Sequence, residues 1–220
     1  MQKLSPLLCL LVLFISLASS ADSLTGKVVD VHDGDTLTIQ VPSENNKKYK
    51  VRMLGVDTPE VEFFEHTQGE AAFAARDFLR SLVPVGSTAT VDFDGDGFDK
   101  HNRVLGRIFA DGVEVNREML KNGWGYFYFI FPFDKKIAVE YSALAKFAVD
   151  NQLGLFSAKF RETQPPYEFR LTSRHQIGLN IVGDLQTKRL YSPEDSAQVP
   201  VWNRVFFPDE GLAKSAGYSF

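Results

Sequence analysis

Three short stretches of this 220-residue chain carry carboxylates, and the second and third also hold arginines. They are Asp33-Gly34-Asp35-Thr36-Leu37, Val51-Arg52-Met53-Leu54-Gly55-Val56-Asp57-Thr58-Pro59-Glu60 and Asp99-Lys100-His101-Asn102-Arg103-Val104-Leu105-Gly106-Arg107. Carboxylates with no His or Cys at metal-ligand spacing suit a hard, oxygen-seeking cation such as calcium. A guanidinium donates two parallel bonds, which suits the equatorial oxygens of a phosphate at its trigonal-bipyramidal transition state. A spare carboxylate then orients or deprotonates an attacking water. The competing reading is a structural salt-bridge network, which has no need of three carboxylates beside two arginines in loops. Asp33 reads mainly as a turn former, because Asp-Gly is a common turn pair. The run Asp92 to Gly97 looks like a calcium loop, but its twelfth position is Arg103, where such a loop needs Glu.

Those groups need elements to hold them. Val29 and Val31 alternate with polar neighbours, and Leu37, Ile39 and Val41 alternate with Thr36, Thr38 and Gln40, the period of a half-buried strand. Pro42 to Lys48 reads as a hairpin connection. Tyr49, Val51 and Met53 then share one face, which turns Arg52 to the other. Gly69 to Leu82 carries apolar residues at helical spacing and is stopped by Pro84 and Gly86. Strands follow at Ala89–Phe93 and Val104–Phe109, then helices at Val115–Lys121 and about Lys136–Asn151. Five short strands with a helix after the third predict an α+β chain built on a five-stranded OB-type barrel with three helices. Fold alone does not assign function.

Composition sets wider bounds. Hydrophobic residues make up 44% and charged residues 24%, enough for a packed core, and the formal charge of −4 argues against non-specific duplex coating. Lys3, the apolar run Leu7 to Leu17 and the small residues Ala18 to Ala21 predict a secretory signal over 1–21. An uncleaved N-terminal membrane anchor is the alternative, although the apolar run is short for a span. The chain is therefore expected to be secreted or periplasmic, with no stable membrane association after cleavage. Its only cysteine, Cys9, lies within that segment, so the mature chain would carry no thiol.

The sequences DGDTL, VRMLGVDTPE and DKHNRVLGRIFADG, in this order and spacing, resemble the staphylococcal nuclease (thermonuclease) family from about Thr25 to Ser157. The resemblance implies that Asp35 and Asp57 bind calcium with the Thr58 carbonyl, and that Glu60 positions or activates the attacking water. It also implies that Arg52 and Arg103 bind the phosphate and stabilise its transition state. The reaction implied is hydrolysis of DNA and RNA at the 5′-oxygen, leaving a 3′-phosphate, with single strands favoured. The family's two tyrosines near the nucleotide correspond to Phe129 and Phe131, and its tyrosine beside the third-block arginine to His101. Lys100, His101, Phe129 and Phe131 are thus the expected substrate-binding residues.

Domain organisation follows as a nuclease-like domain over 24–158, a linker over 159–176 marked by Gln164-Pro165-Pro166, and a small module over 177–220. That module resembles the metal-binding part of an alkyl-phosphotriester repair protein. Tyr191, Asp195, Ser196 and Phe220 stand where its ligands belong, so no zinc site is expected. Two other functions compete with a nuclease. One is a non-catalytic nucleic-acid or protein binding module on the same barrel; the other is a secreted calcium-binding or adhesion protein.

Overall fold

The computed structural model describes residues 22–94, 97–176, 178 and 180–220. The predicted signal over 1–21 lies outside the described residues. Five strands close a barrel: β1 (Asp22–Val31), β2 (Thr36–Val41), β3 (Lys47–Met53), β5 (Thr88–Phe93) and β6 (Val104–Ala110), after β4 (Val56–Asp57). Their order is β3-β2-β1-β5-β6, and a parallel β3–β6 pairing joins the ends, with Val51 opposite Val104. Period-2 patterning explains the closure. Leu37, Ile39 and Val41 from β2, Val51 and Met53 from β3, and Val91 and Ile108 from β5 and β6 all point inward and are almost fully buried. Each such aliphatic side chain contributes about 1.5–3 kcal/mol on burial.

One strand departs from simple alternation. The register of β1 against β2 shifts between Val28 and Asp30, a bulge that inserts one residue. Val28, rather than Val29, therefore joins Val31 in the core. Around the barrel pack α1 (Glu70–Leu82), then β7 (Val113–Glu114), α2 (Val115–Lys121), β8 (Tyr126–Phe127), β9 (Phe129–Ile130) and α3 (Lys135–Asp150). The α1 face that meets the barrel carries Ala72, Ala75 and Leu79.

The tract expected to be a linker contains a helix, α4 (Pro166–Ser173). Beyond it lie β10 (Ile181–Asp184), β11 (Leu190–Tyr191), β12 (Arg204–Phe207) and α5 (Glu210–Ser215). These strands form a second sheet in the order β11-β10-β12-β9, so β12 runs parallel to β9, with Val205 opposite Phe129 and Phe206 opposite Ile130. No helix among the described residues is long and apolar enough to cross a membrane.

Candidate active site

Site geometry begins at the turn between β1 and β2. A Cβ on Gly34 would stand 2.9 Å from side-chain carbons of Thr58 and Ala75, so only glycine lets this turn press against the following loop. That contact brings Asp35 to Thr58, whose backbone N–H donates to Asp35 Oδ2 at 2.7 Å, while Thr36 Oγ1 donates to Asp35 Oδ1 at 2.9 Å. Gly55, at φ +74°, reverses the chain between β3 and β4 and returns Asp57 toward Arg52. Asn116 fixes the same corner from beneath. Its side chain accepts from Ile108 N at 2.9 Å and donates to the carbonyls of Leu54 at 2.9 Å and Gly106 at 3.2 Å.

Arg52 leaves β3 on the side away from Val51 and Met53 and is itself buried. It is ion-paired with Asp35 and donates to Asp57 Oδ1 at 2.7 Å. Asp57 is fully enclosed. Glu60 sits beside them, its backbone N–H donating to Gln68 Oε1 at 3.0 Å. The structure thus brings together Asp35, Asp57, Thr58, Arg52 and Glu60, from three separate parts of the chain.

A second guanidinium joins them. Arg170 of α4 donates from Nη1 to Asp57 Oδ1 at 2.8 Å and to Glu60 Oε1 at 2.7 Å, and from Nη2 to Asp57 Oδ2 at 2.9 Å. Its guanidinium carbon lies 5.8 Å from the Tyr128 ring centroid. The tail holds it there: Tyr167 stacks on Tyr128 at 5.9 Å, and Arg204 of β12 bonds both the Tyr167 hydroxyl and Glu168, the latter at 3.0 Å. Gln68 ties Glu60 to the same segment by donating to the Gln164 carbonyl at 2.7 Å. Sequence reasoning missed Arg170. Pro166 at the first helical position, with Glu168 in the first turn, was a signal for the helix; nothing local signals where Arg170 points.

Electrostatics follow from this crowding. Burial alone raises the Asp35 pKa, but Arg52 and the bonds it accepts outweigh that and hold it below the usual carboxylate value. Asp33 moves the opposite way, raised by burial and by the charge of Asp35. Glu60 is also raised, first by burial and then by Asp35, with Arg170 opposing. Asp35 and Asp57 keep Arg52 protonated against its burial.

The donor set is all oxygen and anionic, which fits a hard divalent cation. The Thr58 hydroxyl, buried beside Asp35, is without a hydrogen-bond partner, so a polar group is left here that a ligand could satisfy. Among the described residues no three acidic, His or Cys groups form a ready cage, and Arg52 and Arg170 pair with the carboxylates present. The residues therefore fit a cation in chemistry, and ligation would require them to exchange guanidinium partners.

The other expected residues have partners and surroundings of their own. Arg103 immediately precedes β6 and is turned to Asp99, donating from Nε at 2.8 Å and ion-pairing from Nη2 at 2.7 Å. Lys100 and His101 are exposed on the same turn. Phe129 is only 2% exposed, its ring packed among Phe127, Phe133 and Tyr141, so it is a core ring without a face open to a base. Phe131 is half-buried and packs against Phe207 of the tail at 5.5 Å. The expectation that these two rings stack on substrate is corrected for Phe129 by its burial.

Comparison with known proteins places this geometry. Residues 50–158 match the family model described as staphylococcal nuclease homologue. Endonuclease YhcR of Bacillus subtilis is 30% identical over 200 residues, which cover 88% of this chain and 16% of that protein. An uncharacterized Bacillus anthracis protein is 30% identical over 138 residues, 63% of each chain. Thermonuclease of Staphylococcus hyicus is 28% identical over 48% of this chain and 60% of its own length. The chain thus spans less than two thirds of each of these relatives. The YhcR match is longer than the family segment and so includes part of the tail. With the barrel, the three blocks and this match in agreement, residues 50–158 are a staphylococcal nuclease family domain.

Proposed function

We propose that this chain is a calcium-dependent nuclease that hydrolyses phosphodiester bonds of DNA and RNA, displacing the 5′-oxygen to leave 3′-phosphate ends. The observation that carries this reading is the convergence of Asp35 and Asp57 on Arg52, with Glu60 joined to Asp57 through Arg170, around a nuclease-family segment. Asp35, Asp57 and the Thr58 carbonyl would hold the cation, which supplies Lewis-acid polarisation of the phosphate. Arg52 binds a phosphate oxygen and stabilises the charge that grows there. Glu60, with its pKa raised by burial, accepts a proton from water more readily than an exposed carboxylate. Arg103 reaches a phosphate after releasing Asp99, and Lys100 and His101 sit beside it for the substrate backbone.

Export is proposed on the sequence of the first 21 residues: Lys3, the Leu7–Leu17 run and the small residues Ala18 to Ala21. The test is hydrolysis of single-stranded DNA with calcium, with EDTA, and with Glu60→Ser. Calcium-dependent cleavage lost in both controls supports the reading. A folded, calcium-binding protein with no cleavage would replace it with a binding module.

A further inference from the structure

Between Glu60 and α1 the chain forms a short finger. Its neck is Glu60, whose carbonyl accepts from Gln68 N at 2.9 Å. Near its tip Phe63 and His66 exchange two backbone bonds, of 2.7 and 2.9 Å. The two residues between them, Phe64 and Glu65, have φ of +48° and +63°. This is the turn geometry that normally takes Asn-Gly, and a bulky aromatic in it is a steric outlier. Backbone strain of this kind persists where the surrounding structure over-determines it. Here it holds Phe64 in solvent, 65% exposed.

The exposed ring is not isolated. Phe63 meets Phe64 edge-on at 4.9 Å and 75°. Arg174 lies 4.7 Å from the Phe63 centroid and 5.2 Å from that of Phe64. Arg174 follows Arg170 by one helical turn, so α4 delivers one arginine to the carboxylates and the next to the aromatic tip. Phe64 is four positions beyond Glu60, so their Cα atoms are at most about 14 Å apart. That is a reach of one or two nucleotides from the reacting phosphate.

We propose that Phe63, Phe64 and Arg174 form a stacking subsite for an unpaired base of the single-stranded substrate. The inference rests on the nuclease reading for its placement beside the reaction centre. Aromatic faces next to a guanidinium bind bases of any identity, provided those bases are not already stacked in a duplex. Glu62 and Glu65 are exposed on the same finger and repel phosphates, so the finger takes the base and leaves the backbone to the Arg174 side. The contribution of Phe64 is therefore insensitive to salt, whereas that of Arg174 falls with salt.

The experiment has two arms on the full chain. In EDTA, fluorescence anisotropy of a labelled ten-nucleotide single strand reads binding for wild type, Phe64→Ala, Phe64→Gly and Arg174→Ala. In calcium, hydrolysis of the same strand is compared with that of a one-nucleotide nitrophenyl phosphodiester. We expect Phe64→Ala to weaken single-strand binding about tenfold, the stacking of one base, with no comparable loss on duplex. The ratio of kcat/KM for the long over the short substrate falls equally. Phe64→Gly loses the same affinity while its Tm rises by about 2–4 °C, because glycine tolerates the positive φ. Unchanged single-strand affinity in folded Phe64→Ala and Phe64→Gly overturns the subsite. Absence of hydrolysis by wild type would instead sink the nuclease reading, and the anisotropy arm would still decide the subsite.

Discussion

Replacing Arg170 with Met keeps the buried stem and removes the charge. Asp57, fully enclosed, would lose two bonds of 2.8 and 2.9 Å, and Glu60 would lose one of 2.7 Å. Removing one partner of a buried ion pair costs about 3–5 kcal/mol, because the other charge is left uncompensated. Arg52 still serves Asp57, and the Arg170 side chain is 21% exposed, so the lower end applies, about 3 kcal/mol. For a chain of this size each kcal/mol moves Tm by about 2–4 °C, so the loss should be about 6–12 °C in EDTA. The remaining carboxylates are more negative without Arg170. Calcium should therefore stabilise the variant more than the wild type, and thermal unfolding followed by circular dichroism with EDTA or calcium reads both effects. A Tm within about 2 °C of wild type in EDTA, together with an equal calcium response, would refute this account of Arg170.

Further expectations concern the supports of the site. Asn116→Ala removes the side-chain partner of Ile108 N and of the Leu54 carbonyl, leaves the Gly106 carbonyl with Leu54 N alone, and should cost about 2–3 kcal/mol in urea denaturation. Gly55→Ala sets a Cβ 2.5 Å from the Phe129 ring at a positive φ, so a loss of about 3 kcal/mol is expected from the same measurement. Arg204→Met frees Tyr167 and Glu168, and limited proteolysis should then cut within 159–176 faster than in wild type. Asp99→Ala removes bonds to the His101 and Arg103 amides and to the Arg103 side chain, about 2 kcal/mol at pH 7. Burial acts to raise the Asp99 pKa, but those bonds outweigh it and the folded value is depressed. The stability gap in pH-dependent unfolding should therefore be complete above about pH 4 and close as pH falls through that lowered value.

Local pattern carried much of the architecture. Alternation located the barrel strands, and helical spacing placed α1 and α2 within a residue of where they lie. These signals are legible because burial on a strand or helix imposes a period on the chain itself. The bulge in β1 was not legible, since both Val28 and Val29 are apolar and only pairing with β2 selects Val28. The aromatic run from Tyr126 to Phe133 was equally opaque: with nearly every position aromatic, period cannot separate a core ring such as Phe129 from one covered by the tail, such as Phe131.

By itself the sequence determined which groups could do chemistry, because residue type fixes charge, donor softness and hydrogen-bonding capacity. It held Asp35, Arg52, Asp57 and Glu60 in short blocks on predicted strands and turns. Only the tertiary structure decided how those charges are shared. Arg170 reaches Asp57 across 113 residues, carried by a helix inside an expected linker and held by a strand of the tail. Arg103 is engaged by Asp99, and Arg174 reaches the finger that begins at Glu60. Contacts at such separations depend on where folded elements come to rest, and no local period in the chain encodes that.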